Sequence, residues 1–211
     1  GGLPPLRTCF FLLTWKRPVL LRIGRFAISC CQDDRAAALL RGPRPTLSGA
    51  AENGMELEYI TEEKTPWRPE LCRIWEQSVD LAAQPDPFCC APIWQLSAHR
   101  AFAPGRRVLA QHTEDSVLVL AEAFLSSGQP LLTSLEAHWL FGCPLLGPDA
   151  MGLLAEALAA MSHSYGHLPA LLLGGIVPGS RRARELYACC ESLFTIYLAG
   201  ECIQAGASLE G

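Results

Sequence analysis

A mixed α/β fold built around one sheet is what this 211-residue chain predicts, on three observations. Half of the residues are hydrophobic and 18% are charged, which gives enough apolar surface for a sizeable core. The runs RRVLAQH and SVLVLAEAF are rich in branched residues and flank the polar TED, the pattern of two antiparallel strands joined by a short loop. The stretch from Trp139 to Glu185 then reads strand, glycine-bearing loop, helix, strand, loop, helix. That order suits α/β folds in which a ligand sits where a strand hands over to a helix N-terminus.

In chain order, the first 54 residues stand apart. They carry a net charge of +5, whereas residues 55–211 carry −9. Basic residues interrupt the apolar runs TCFFLLTW and PVLLRIGRFAISCC, so neither forms a signal peptide's unbroken apolar core nor approaches a bilayer span of about 20 residues. Residues 32–54 read as a linker punctuated by Pro and Gly. Residues 1–54 are therefore a basic extension, poorly structured or non-native, set apart from an ordered domain over 55–211. Translation beginning at Met55, with the preceding residues read in frame, accounts for the change in character. An amphipathic, acid-poor targeting segment is the other reading.

From Met55 the pattern is orderly. MELEYITE alternates like a strand. Pro69 opens a helix whose inner face is Leu71, Ile74, Trp75, Val79 and Ala82, with Arg73, Glu76, Gln77 and Asp80 facing water. QPDP breaks it. A second helix over 92–102 offers Ile93, Trp94, Leu96 and Ala98 to the core, and Phe102 reads as a core aromatic as well. The hairpin follows, then a strand at LLTSL, and Trp139, Leu140 and Phe141 form another before the glycine loop. Asp149 is placed to cap a helix over 150–161, with Met151, Leu154, Leu158 and Met161 on one stripe. Gly166 ends it and Pro169 bars continuation. Residues 170–177 are apolar throughout, as in a strand buried on both faces. Ser180 caps a third helix over 181–192, and 193–198 is the last strand.

Several chemistries are weighed by these residues. The acidic body lacks the basic face that nucleic-acid binding requires. The ten cysteines include three adjacent pairs and no CxxC, which reads as small buried hydrophobes in a reducing cytoplasm rather than a disulfide scaffold or zinc site. His163 and His167 have helical metal-pair spacing, but Gly166 falls between them and no third ligand is near, so no metal is expected. Gly179-Ser180 lacks the GxSxG pattern of a nucleophile elbow. Glu122 and Glu136 lie near the sheet, and either could serve as a base. The loop GCPLLG lacks the Lys of a Walker A loop and the GxGxxG of a dinucleotide fold, and it is readable as a plain tight turn. Arg181, Arg182 and Arg184 crowd a helix N-terminus, where cations oppose the macrodipole by about 0.3–1 kcal/mol each unless an anion lies between them. The candidate substrate-binding set is Trp139, Gly142, Ser180, Arg181 and Arg182, with no catalytic residue assigned.

Two stretches carry a family resemblance. PFCCAPIWQLSAHRAF followed by RRVLAQHTEDSVLVLAEAF resembles the opening of FemAB-like and CelD-like acyltransferases of the GNAT superfamily. HWLFGCPLLGPDAMGLLAEAL resembles their strand–GxPL–helix block through Gly142, Pro144 and Leu145. The resemblance covers residues from Met55 onward. It implies a GNAT-like domain with a bent, largely antiparallel sheet flanked by helices. It also implies transfer of an acyl or aminoacyl group, from acetyl-CoA or another acyl-CoA or from an aminoacyl donor, to a small-molecule or peptide amine. The superfamily's pyrophosphate loop, Q/R-x-x-G-x-G/A, is missing. On this reading the chain is the N-terminal half of a cytoplasmic two-domain transferase, without the GNAT-like C-terminal half that holds the donor, and inactive by itself. The alternative is a non-catalytic ligand- or protein-binding module on the same scaffold.

Overall fold

The structure, a computed structural model, describes residues 6–15, 58–60, 69–81 and 86–204. Within them the chain forms β1 (Leu6–Trp15), β2 (Glu58–Ile60), α1 (Pro69–Leu81), α2 (Pro87–Cys90), α3 (Pro92–Phe102), β3 (Val108–His112) and β4 (Val117–Phe124). It continues with β5 (Pro130–Thr133), β6 (Leu145–Leu146), α4 (Ala150–Tyr165), β7 (Ala170–Ile176), α5 (Arg181–Cys190) and β8 (Phe194–Gln204). The strands make one sheet in the order β2-β3-β4-β5-β7-β1-β8, with β6 pairing β4 off that line. Every pairing is antiparallel except β5 with β7. The mixed, largely antiparallel sheet flanked by helices is thus what the sequence predicts.

The N-terminal boundary needs correction. Ten of the residues set apart as an extension form β1, which lies inside the sheet between β7 and β8. The cause is the run CFFLLTW, free of Pro, Gly and acid, whose backbone pairs on both edges and whose Leu13 is fully buried. Since β7 and β8 are each antiparallel to β1, they run parallel to each other with β1 filling the gap. The remainder of residues 1–54 lies outside the described residues, as do Ala82 and the side chains of Asp80 and His163.

Helices α1 and α4 pack on β4 and β6, and α5 packs on α4 and β8. The core between them and the sheet includes Trp75, Leu118, Leu120, Leu154, Met161 and Phe194. On α1 the inner stripe Leu71, Ile74, Trp75 and Val79 is buried as its spacing predicts. On α3 the prediction holds in part: Ala98 is buried and Leu96 packs against the core, but Ile93 is 70% exposed and Phe102 51%, while Gln95 and His99 are buried. Polar contacts turn that helix. Gln95 donates from Nε2 to the Cys89 carbonyl at 2.6 Å, and its Oε1 accepts from the Glu136 amide at 3.3 Å. The strand expected at Trp139–Phe141 is likewise absent. Those residues lie in a loop in which Leu140 adopts φ 56°, and the strand pairing falls later, at β6.

Candidate functional site

The site is the loop 134–149 between β5 and α4, and the sheet itself makes room for it. Strand β4 shares one edge between two partners: its second half pairs with β5, and Val117 and Leu118 pair with β6. Parallel strands β5 and β7 stay in register from Leu131↔Ala170 to Thr133↔Leu172. There β5 leaves the sheet, while β7 continues to Ile176. The loop fills the fork and lies across β7 at Gly174 and Gly175. A Cβ on Gly174 would collide with the Leu140 carbonyl, and one on Gly175, whose φ is +67°, would collide with the backbone of Phe141, Gly142 and Cys143. Two adjacent glycines are what this close approach requires. Leu140, with its left-handed backbone and 4% exposure, is held in a conformation that costs about 1–2 kcal/mol for a residue bearing a Cβ.

Glu136 organises the loop. It is 1% exposed, and its carboxylate accepts hydrogen bonds from the Gly142 amide and the Trp94 indole Nε1. The Phe141 amide and the Gln95 side chain add to this support. Burial raises the Glu136 pKa above the ordinary carboxylate range, and these hydrogen bonds oppose the rise. All the partners are neutral. Between Arg107 and Arg181 the chain has no Lys or Arg. That run holds other acids as well, Glu122 among them, so no local pattern singles Glu136 out and its burial comes from the fold. Glu122, the other acid considered, accepts a bidentate pair from Arg107 on β4's buried face, an ion pair rather than a free base.

Around Glu136 stands a chain of rings. Phe88 lies 5.3 Å from Trp94, Trp94 5.8 Å from Trp139, Trp139 5.1 Å edge-on from Phe102, and Phe102 4.9 Å from His138. Burial and the Arg106 charge lower the His138 pKa, and burial lowers that of Arg106, one of whose guanidinium nitrogens is buried without a hydrogen-bond partner. Cys143 adjoins this assembly; its amide donates to Cys90 Sγ at 3.3 Å, and burial pushes its thiol up to about 11. Cys89 and Cys90 are raised further, so these thiols are protonated and unreactive at neutral pH.

The sequence-selected residues fall into two groups. Trp139 and Gly142 belong to the Glu136 assembly. Ser180, Arg181 and Arg182 belong to the start of α5, where Ser180 Oγ accepts from the Ala183 amide as a helix cap. Arg182 links the groups by donating to the Gly147 carbonyl at 2.6 Å, at the far end of the same loop. Arg181 pairs with Glu185, Arg182 also reaches Glu185, and Arg184 donates to the Gly179 carbonyl. The three arginines thus answer the cost of their position with internal acceptors. Asp149 stands at the N-cap of α4 without a side-chain capping bond; its own amide donates to Ser116 Oγ instead. Among the described residues no group of three His, Cys, Asp or Glu is placed to hold a metal ion, and no helix is long and apolar enough to cross a membrane.

The fold and loop define a mixed α/β protein with a mostly antiparallel sheet, forked where its parallel pair ends. No family model, curated protein or solved structure matches the chain.

Proposed function

We propose that the chain is a GNAT-like portion of an N-acyltransferase, in the manner of the FemAB-like and CelD-like enzymes it resembles, and that its share of the work is to orient an amine acceptor. The observation that carries this reading is the fork. In α/β sheets ligands sit outside the carboxyl ends of parallel strands, at the point where neighbouring strands part. Here that point holds a loop fixed by a buried carboxylate and followed directly by the N-terminus of α4.

The fit of an acyl-CoA to the loop is poor. A pyrophosphate needs free N–H donors and cations. The Gly142 amide is taken by Glu136, the Cys143 amide by Cys90 and the Asp149 amide by Ser116. Pro144 and Pro148 have no amide hydrogen, and Arg182 is turned to Gly147. The donor is therefore assigned to residues beyond this loop, in a second GNAT-like half, and no chemical step is routed through it here. The same engaged donors favour the second reading, a non-catalytic binding module on this scaffold.

Calorimetric titration with acetyl-CoA separates the two readings. The transferase reading expects no saturable heat from this chain alone and micromolar or tighter binding by a protein that joins it to a second half. Failure of the joined protein to bind acetyl-CoA overturns the transferase and leaves the module.

A further inference from the structure

We propose that the Phe88–Trp94–Trp139 end of the ring chain is a binding site for an organic ammonium group, primary or quaternary, recognised by π faces backed by carboxylates. The site does not depend on the transferase reading, because it binds without a donor and without chemistry.

The first ground is exposure. Phe88 is 60% exposed and its neighbour Ile93 70%, although α2 and α3 each bury other side chains. The ring planes of Phe88 and Trp94 are inclined by 52°, and those of Trp94 and Trp139 by 43°. Trp94 and Trp139 are each half-buried beside Phe88, so part of every ring in this row reaches solvent. Cations within about 6 Å of a ring's face are attracted by its quadrupole, most strongly at Trp.

The second ground is charge. Glu136 accepts from the Trp94 indole N–H at the ring's edge and Asp86 caps α2, accepting from the Cys89 amide at 3.0 Å, so two carboxylates border this end. Glu136 has only neutral partners, and its field is weakly screened because it is buried. The Trp94 indole donates its N–H to that carboxylate, which pushes electron density onto the ring and strengthens its hold on a cation. Arg106 stands at the opposite end of the row, beside His138.

The test uses the full chain with two probes of one shape. Choline carries a quaternary ammonium, and 3,3-dimethylbutan-1-ol replaces its nitrogen by carbon. Binding is read from tryptophan fluorescence and from the indole N–H resonances of Trp94 and Trp139. The expected result is saturable choline binding that shifts both resonances, with the neutral isostere at least tenfold weaker. Phe88→Leu, an exposed position where folding is spared, should weaken choline at least threefold and leave the isostere unchanged. Equal affinity for the two probes would show an apolar docking face rather than a cation site. That result, the absence of choline binding, or an unaltered choline affinity in Phe88→Leu each overturns the proposal.

Discussion

At the scale of single residues, the loop's position depends on what Gly175 lacks. Its φ of +67° is strained for any residue with a Cβ, at about 1–2 kcal/mol, and that Cβ would meet backbone rather than a movable side chain. Forcing the loop away costs a further ~1–3 kcal/mol, the usual penalty of overpacking. Gly175→Ala should therefore lower the urea midpoint of unfolding clearly, while the same change at Gly128, where nothing lies within 4 Å, should cost only the left-handed strain. Equal midpoints for the two variants would mean that the loop does not rest on β7 as described. The contrast isolates close approach from backbone conformation, since both glycines have positive φ.

Elements show what pattern alone can and cannot carry. The hairpin, α1, α4 and β7 were legible because their apolar residues repeat with the period of the structure they form, and Ser180 and Gly166 punctuate helices by local chemistry. The face of α3 was legible only in part, at Leu96 and Ala98. Hydrophobicity turns Ile93 inward, but Gln95 bonds to Cys89 across the helix junction and to Glu136, which is distant in sequence, and these bonds win. The same holds for β1, whose place between β7 and β8 is a non-local pairing that no window of residues reveals. That place has a consequence. Among the described residues β8 pairs only with β1, so removing residues 1–15 should leave it without that strand partner. Hydrogen exchange should then rise to near the unfolded rate across 194–204, while β3 and β4, paired with each other, keep their protection. Retained protection in β8 would place its anchorage elsewhere.

Taken whole, the molecule combines two shifted titrations of opposite sense at one end of the sheet, one on the buried Glu136 and one on the exposed, partly desolvated His138. His138 has its folded pKa lowered from 6.5 by burial and by Arg106. Its contribution to stability is complete above pH 6.5 and is lost as pH falls through the lowered value, because the unfolded chain then binds the extra proton. Glu136 has its folded pKa raised from 4.5 by burial, so its contribution is complete below pH 4.5 and is lost as pH rises through the raised value. Sequence could place both residues in the LEAHW segment but could not supply the burial that sets these signs. His138→Asn should flatten the acid-side fall in the urea midpoint just below pH 6.5 and leave unchanged the opposing trend that begins near 4.5. Parallel wild-type and variant curves throughout the lower window would mean that His138 titrates as it would in water, and that Arg106 does not act on it. A flattened curve would instead tie the outer end of the ring chain to the same packed loop that Glu136 holds from within.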